Sequence, residues 1–393
     1  MILSSRERVF KTLNHIEPDR VPIDNGGFVS GMHEIAYKNF LKYLKIEDKI
    51  EIYDPVQRLA RVSNEVLDYL GVDTRYIFPN NSSTYEFKEN KDGSFEDEFG
   101  AKFKRMGNYC ENYYSPLEGA SFKKVKKYKF PDPDDSARYK GVRERALRLY
   151  KKTDYALVSA PVNSLFYWAW CLRGMEGFLT DTVINPDTAT YILDKLLEYN
   201  IKFYDNYLNA IGDLIEYFWI GDDWGTKSGP LVNPDYFRKE IVPRYKKIIY
   251  FCKTKTKAKC IYHTCGATYW CLSDLIEMGI DIVHPLQPNA MGNEDSEKIK
   301  REYGDRLSFQ GAINDQGLFH KKTELMLIDT LKRIKYLAPG GGYIFSSGHH
   351  IEANYPPQKI SMLFDYAKEF GKYPIDIDGI DKEIKKLERS LEN

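Results

Sequence analysis

The chain has 393 residues, and its 57 lysines and arginines are balanced by 57 aspartates and glutamates. A formal net charge of zero with no long basic run argues against nucleic acid or an anionic membrane as a partner. No apolar stretch approaches the roughly 20 residues of a membrane span, and an N-terminus charged from Arg6 onward does not read as a signal peptide.

Eight apolar runs of strand length follow in order: residues 21–26, 74–79, 156–162, 214–222, 259–265, 280–286, 307–312 and 343–348. Most are separated by stretches with apolar residues at three- and four-residue spacing, namely 186–210, 234–253, 268–278, 296–303, 322–337 and 357–370. Asn185-Pro186 and Asn233-Pro234 place an N-cap before a first-turn proline. Strand–helix alternation at this pace predicts a parallel sheet. Eight repeats predict an α/β fold of the (β/α)8 TIM-barrel type. Between 80 and 135 the pattern changes to alternating segments around Asp92-Gly93, a hairpin signal. This is expected to be a β-rich insertion after the second strand, followed by a helix near 136–151. The expected organisation is a barrel over 1–375 and a peripheral C-terminal helix over 376–393.

In such barrels chemistry sits at the C-terminal ends of strands, and the ends here are polar. The first offers Asp24 and Asn25, the fourth Asp222 and Asp223, and the sixth His284 and Gln287. The seventh offers Gln310 and Asn314, and the eighth His349, His350 and Glu352. The fifth run ends Tyr262-His263-Thr264-Cys265-Gly266. Residues i and i+2 of a strand share a face, so His263 and Cys265 supply two of the ligands a tetrahedral zinc site needs. A third is expected from Gly348-His349-His350. Those histidines face opposite ways, so one of them ligates, and Glu352 is the other candidate.

Each feature has a plainer reading. His263 alone would suit a hydrogen-bonded core. His284, before Pro285, reads as a wall residue. Asp222 and Asp223 would also serve as helix caps, but beside a metal they are expected to orient a ligand or contact substrate. Asp24 is a third acidic candidate, with capping its alternative. Phe166, Trp168 and their aromatic neighbours after the third strand are either packing or the wall of a flat ligand pocket. Six cysteines without a framework spacing fit a reducing cytoplasm, where Cys265 would survive as a thiolate ligand.

The opening Arg6-Glu7-Arg8-Val9-Phe10, followed by Glu17-Pro18-Asp19-Arg20-Val21-Pro22, resembles that of the uroporphyrinogen decarboxylase superfamily. His263-Thr264-Cys265-Gly266 resembles its zinc-dependent, corrinoid-linked methyltransferase branch, as do Gly279-Ile280-Asp281-Ile282 and Pro339-Gly340-Gly341-Gly342-Tyr343. The resemblance extends to about Tyr373. Two departures matter. The decarboxylases carry an arginine-rich motif after the first strand, and residues 23–31 here contain no arginine. The methyltransferases bind zinc through His-x-Cys and a later Cys, and that later position falls on His349. Two histidines and a cysteine remain a sound catalytic zinc set.

The resemblance therefore implies a cytoplasmic methyltransferase. Zinc would be held by His263, Cys265 and His349. A corrinoid (cobalamin) would be supplied by a partner protein, and a small methyl donor or acceptor would bind near Asn25, Phe166, Trp168, Gln287, Gln310 and Asn314. Asp24, Asp222 and Asp223 would be the acids of the site. O-demethylation of a methoxylated aromatic and methylation of a thiol both fit. A metal-free decarboxylase and a non-catalytic cofactor-binding barrel are the alternatives.

Overall fold

The structure, a computed structural model, describes residues 3–392. Seven strands form one parallel sheet in the spatial order 343–344, 308–310, 282–284, 259–263, 217–221, 156–159 and 74–77. Its two edges are joined by the first predicted run. Asp24 N–H donates to Phe345 O, Phe345 N–H to Pro22 O, and Asp73 N–H to Ile23 O, each at 2.8 Å. The ring of eight is thus complete, and the fold is the predicted (β/α)8 barrel.

The closing segment departs from a regular strand for a local reason. Pro22 has no N–H to give, and Ile23 N–H donates instead to the Asp73 carboxylate at 2.8 Å. Asp73 also receives Arg8 at 2.6 Å and Arg20 at 2.8 Å, while Arg8 reaches Asp19 at 2.7 Å. The arginines and aspartate of the opening motif therefore pin the first helix, Ser5–Leu13, and the first strand to the second.

Alternation fills the barrel. Ala156, Val158, Tyr217, Trp219, Ile261, Ile282 and Ile344 form one buried cluster with Val9 and Leu13 of the first helix. A larger cluster on the outer side packs the surrounding helices against the sheet. Those helices fall close to expectation, among them Pro186–Ile211, Ser296–Tyr303, Thr323–Leu337 and Pro357–Phe370. The expected helix 234–253 is divided: Phe237–Ile241 takes a wider pitch before Val242–Lys255, where Pro243 removes a backbone donor.

Between the second and third barrel strands lies a three-stranded antiparallel sheet, Ser94–Glu96, Lys102–Met106 and Tyr109–Tyr114. The Asp92-Gly93 turn leads into this sheet instead of joining two of its strands, because 84–87 stays outside the ladder. The hairpin turns fall at 97–101 and 107–108. Helix Ile377–Glu392 packs on Thr323–Leu337. Among the described residues no helix is long and apolar enough to cross a membrane.

Candidate metal centre

Strand Lys259–His263 pairs in parallel with Tyr217–Gly221 on one side and Ile282–His284 on the other. That register sets His263 beside Gly221 and His284. Gly221 is required by packing, since a Cβ there would stand 2.8 Å from the Cβ of His263. Past the strand, Gly266 turns at φ +78°. A Cβ on it would strike the carbonyl of Gly225, so the loops after the fourth and fifth strands touch backbone to backbone.

The contact brings Asp223 onto the turn. Its carboxylate accepts Cys265 N–H at 2.8 Å and stands 3.5 Å from His263 Nε2. Gln287 Oε1 accepts Gly266 N–H at 2.6 Å, and Asn293 Oδ1 accepts Tyr269 N–H at 3.0 Å. The His-Thr-Cys-Gly turn is therefore clamped by side chains from both flanking strand ends.

His263, Cys265 and His349 converge. One ligand atom from each lies within 4.8 Å of the other two, and His263 Nε2 is 3.4 Å from Cys265 Sγ. His349 comes from the loop after the eighth strand, its ring 5.6 Å from that of His263. Burial depresses both imidazoles, His263 to about 3 and His349 to about 4. Neutral rings offer lone pairs at ordinary pH, as metal ligands must. His350 turns the other way, 3.4 Å from the Tyr109 hydroxyl of the inserted sheet. Two neutral imidazole nitrogens and one strand-end sulfur make a donor set that fits zinc.

The remaining predicted residues divide. Asp222 does not face the triad. It accepts N–H from Leu165, Phe166 and Tyr167 at 2.7–2.9 Å, and the Tyr245 hydroxyl as well. It caps helix Phe166–Arg173, so capping is its observed task, though of the helix after the third strand rather than its own. Burial raises its pKa to about 6 against those hydrogen bonds. Phe166 is a buried core side chain, and Trp168 is partly buried against the same core. Phe166 packs on Trp170, Phe178 and Trp224, and Trp168 on Phe99 and Tyr199. A helix points consecutive aromatics around its axis, which is why the run cannot form one wall.

Asp24 is the centre of a second polar cluster inside the barrel. It accepts hydrogen bonds from Ser30, Thr74, Tyr76, Tyr217 and the Gln310 amide. Full burial raises its pKa, opposed by the hydroxyl donors. Asn25 turns back on its own loop, donating to Ser30 O at 2.7 Å. Asn314 stands at the head of the short helix Asp315–Leu318, its N–H on Asp329 at 2.8 Å.

Two groups are missed by the sequence pattern. His284, expected to be a wall residue, contacts His263 ring to ring, Nδ1 to Nδ1 at 2.9 Å. Phe28 after the first strand, Tyr76 in the second, Phe78 just past its end, and Tyr53 of the short strand Ile52–Asp54 between them are half-buried and form an aromatic cluster with centroids 4.9–6.5 Å apart. Alternation within 74–79 places Tyr76 and Phe78 on one face, and that is the available signal.

Comparison with known proteins agrees with the fold. The family model described as Uroporphyrinogen decarboxylase (URO-D) matches residues 109–370, well over half of the chain, and the chain belongs to that family. Two relatives named uroporphyrinogen decarboxylase, from Herminiimonas arsenicoxydans and Methylibium petroleiphilum, are 25% and 24% identical over 214 residues. Each match covers 52% of this chain and 57% or 55% of the relative, so the chain spans little more than half the length of either. A solved structure, "methyltransferase from Methanosarcina mazei", shares the fold with a TM-score of 0.66 at 16% identity, covering 94% of this chain and 99% of that one.

Proposed function

We propose that this member of the uroporphyrinogen decarboxylase family is a cytoplasmic methyltransferase that exchanges a methyl group between a small substrate and a corrinoid carried by a partner protein. The observation that carries the reading is the convergence of His263, Cys265 and His349 at three strand-end positions of the barrel. A zinc ion held there would supply Lewis-acid activation of a thiol or an ether oxygen at neutral pH.

The chain's own residues have distinct tasks in this reading. His263 and His349 present neutral nitrogens because burial keeps the proton off them. Cys265 is held in register by the Asp223 carboxylate on its N–H. Asp223 is the one acid of the strand-four pair beside the ligands. Its side chain is 40% exposed, so it can meet a substrate or exchange protons with water. Gln287, on Gly266 N–H, braces the same turn. Asp24 is sequestered by five donors, and its task is to order the barrel interior around Gln310 and Tyr76. A thiol and a methoxylated aromatic both remain as substrate classes. Support for the aromatic comes from the Phe28, Tyr53, Tyr76 and Phe78 cluster, not from Phe166 or Trp168.

A porphyrinogen decarboxylase has less support. Residues 23–31 offer no arginine to a carboxylate-rich substrate. Arg58 and Arg105 are engaged with Glu34, and Arg58 also with Glu89.

The test is direct. The purified protein is analysed for zinc, then mixed with cob(I)alamin and methoxylated aromatics or methyl thiols while methylcobalamin formation is followed by absorbance. The reverse reaction starts from methylcobalamin and thiol acceptors. Methyl transfer in one direction, lost in Cys265→Ala, is the expected result. Carbon dioxide release from uroporphyrinogen without methyl transfer would favour the decarboxylase.

A further inference from the structure

His284 is fully buried, and its Nδ1 lies 2.9 Å from Nδ1 of His263. Two ring nitrogens at that distance hold a single proton between them, one as donor and one as acceptor. The other nitrogen of His263, Nε2, faces Cys265 Sγ at 3.4 Å and is the one turned toward the triad. To ligate, Nε2 must carry a lone pair, which puts the ring proton on Nδ1. His263 Nδ1–H is then the donor and His284 Nδ1 the acceptor. The His284 proton is left on Nε2, a buried atom with no hydrogen-bond partner among the described residues.

The surroundings fix the His284 ring in that pose. Thr264 N–H donates to His284 O at 2.9 Å, locking the two strands in register at this pair. The ring stands edge-on to Trp219, centroids 5.2 Å apart at 78°. Gly311, at φ +85°, leaves only the room the imidazole needs, since a Cβ there would stand 3.4 Å from Cδ2 of His284. Metal-bound histidines ordinarily give their second N–H to a carboxylate, a carbonyl or water. Here a neutral imidazole holds that place and brings no charge.

We propose that His284 is a positioning residue that accepts the Nδ1 proton of His263 when Nε2 ligates, and so holds that nitrogen aimed at Cys265 and His349. The proposal rests on the reading of those three residues as a metal site. Two measurements separate the ideas. In the zinc-loaded protein, nitrogen-15 NMR of the imidazoles should show His263 protonated at Nδ1 and His284 protonated at Nε2, with His284 Nδ1 unprotonated. The opposite tautomers would overturn the proposal whatever the metal affinity proves to be. In the second, zinc affinity is measured by competition with a chromogenic chelator. His284→Leu should weaken binding by about 10–100-fold with stoichiometry unchanged. His284→Asn, whose Oδ1 takes the place of Nδ1, should recover most of the loss. Equal affinity in His284→Leu and the unaltered protein would overturn the positioning role. An unaltered protein that binds no zinc would overturn the metal reading and the positioning role with it, an outcome distinct from equal affinity in the two proteins. If His284→Leu fails to fold, the NMR measurement on the unaltered chain stands alone as the test.

Discussion

Ile261 and Ile282 lie side by side inside the barrel, and so do His263 and His284 two residues further on. The first pair belongs to the apolar cluster closed from below by Val9 and Leu13. The second pair is also buried but made of imidazoles, one of them turned to Cys265. Two strand residues span about 6.6 Å. Within that distance the same backbone ladder passes from holding the barrel together to presenting chemistry. The difference is one of side-chain type at fixed geometry, so the two layers should respond to mutation in separable ways.

The largest effects should divide along that line. Ile282→Ala opens a cavity in the lower layer and should cost about 2–5 kcal/mol in denaturant unfolding while stoichiometric zinc is retained. Cys265→Ala should do the reverse, abolishing stoichiometric zinc while shifting metal-free stability by less than about 1 kcal/mol, because the thiol sits in a turn. Loss of metal in the first variant, or unfolding in the second, would show that the layers are not independent.

Asp24 tests whether a polar residue can belong to the structural side of the comparison. Its donors come from the first loop and from three strands far apart in sequence. Asp24→Ala would leave several buried hydroxyls and an amide without an acceptor, and each such group costs about 1–3 kcal/mol. The expected loss is at least about 3 kcal/mol by urea unfolding, on the same per-group cost. A nearly neutral result would mean that the hub is satisfied without its carboxylate.

The extent to which these layers are legible in sequence follows from the range of the interactions. His263 and Cys265 are readable because two residues of one short run need no tertiary information to lie close, although the strand stops at His263 and Cys265 lies in the turn that follows rather than on the expected strand. His349 is reachable once the eighth run is placed, since barrel strands end on one rim. Asp222 is not readable in the same way. It and Asp223 are adjacent, so alternation sends them to opposite faces, but nothing local says that Asp222 meets the N–H groups of Leu165, Phe166 and Tyr167. The aromatic run suggests a wall only while its period is not tested against a helix. The Asp24 hub depends on donors up to 286 residues away, and only barrel closure assembles it.

Asp222 gives the pH dependence that sharpens this distinction. Burial raises it from 3.8 to about 6. Between those values the folded chain retains a proton that the unfolded chain has released. Its stabilising contribution is therefore full below the unfolded pKa and is lost as pH rises toward 6. A shift of about two units corresponds to roughly 3 kcal/mol. Asp222→Asn should flatten that part of the stability–pH curve, since an amide caps without titrating. An unchanged curve would mean that the three backbone donors hold the carboxylate ionised throughout.

Asp223 should show the smallest effect and the most specific one. It adjoins Asp222, yet its carboxylate reaches Cys265 N–H and lies 3.5 Å from His263 Nε2. Asn at this position keeps an oxygen for Cys265 N–H but removes the charge beside His263. Ala removes both. Changes to such outer groups cost about 10–100-fold in metal affinity or activity. Asp223→Asn is expected near the lower bound and Asp223→Ala near the upper, in chelator competition at constant ionic strength. Neither should alter unfolding by more than about 0.5 kcal/mol, because the side chain is substantially exposed. Equal losses in the two variants would assign the effect to charge alone. No loss in either, with Asp222→Asn lowering metal affinity instead, would reverse the roles of the two acids.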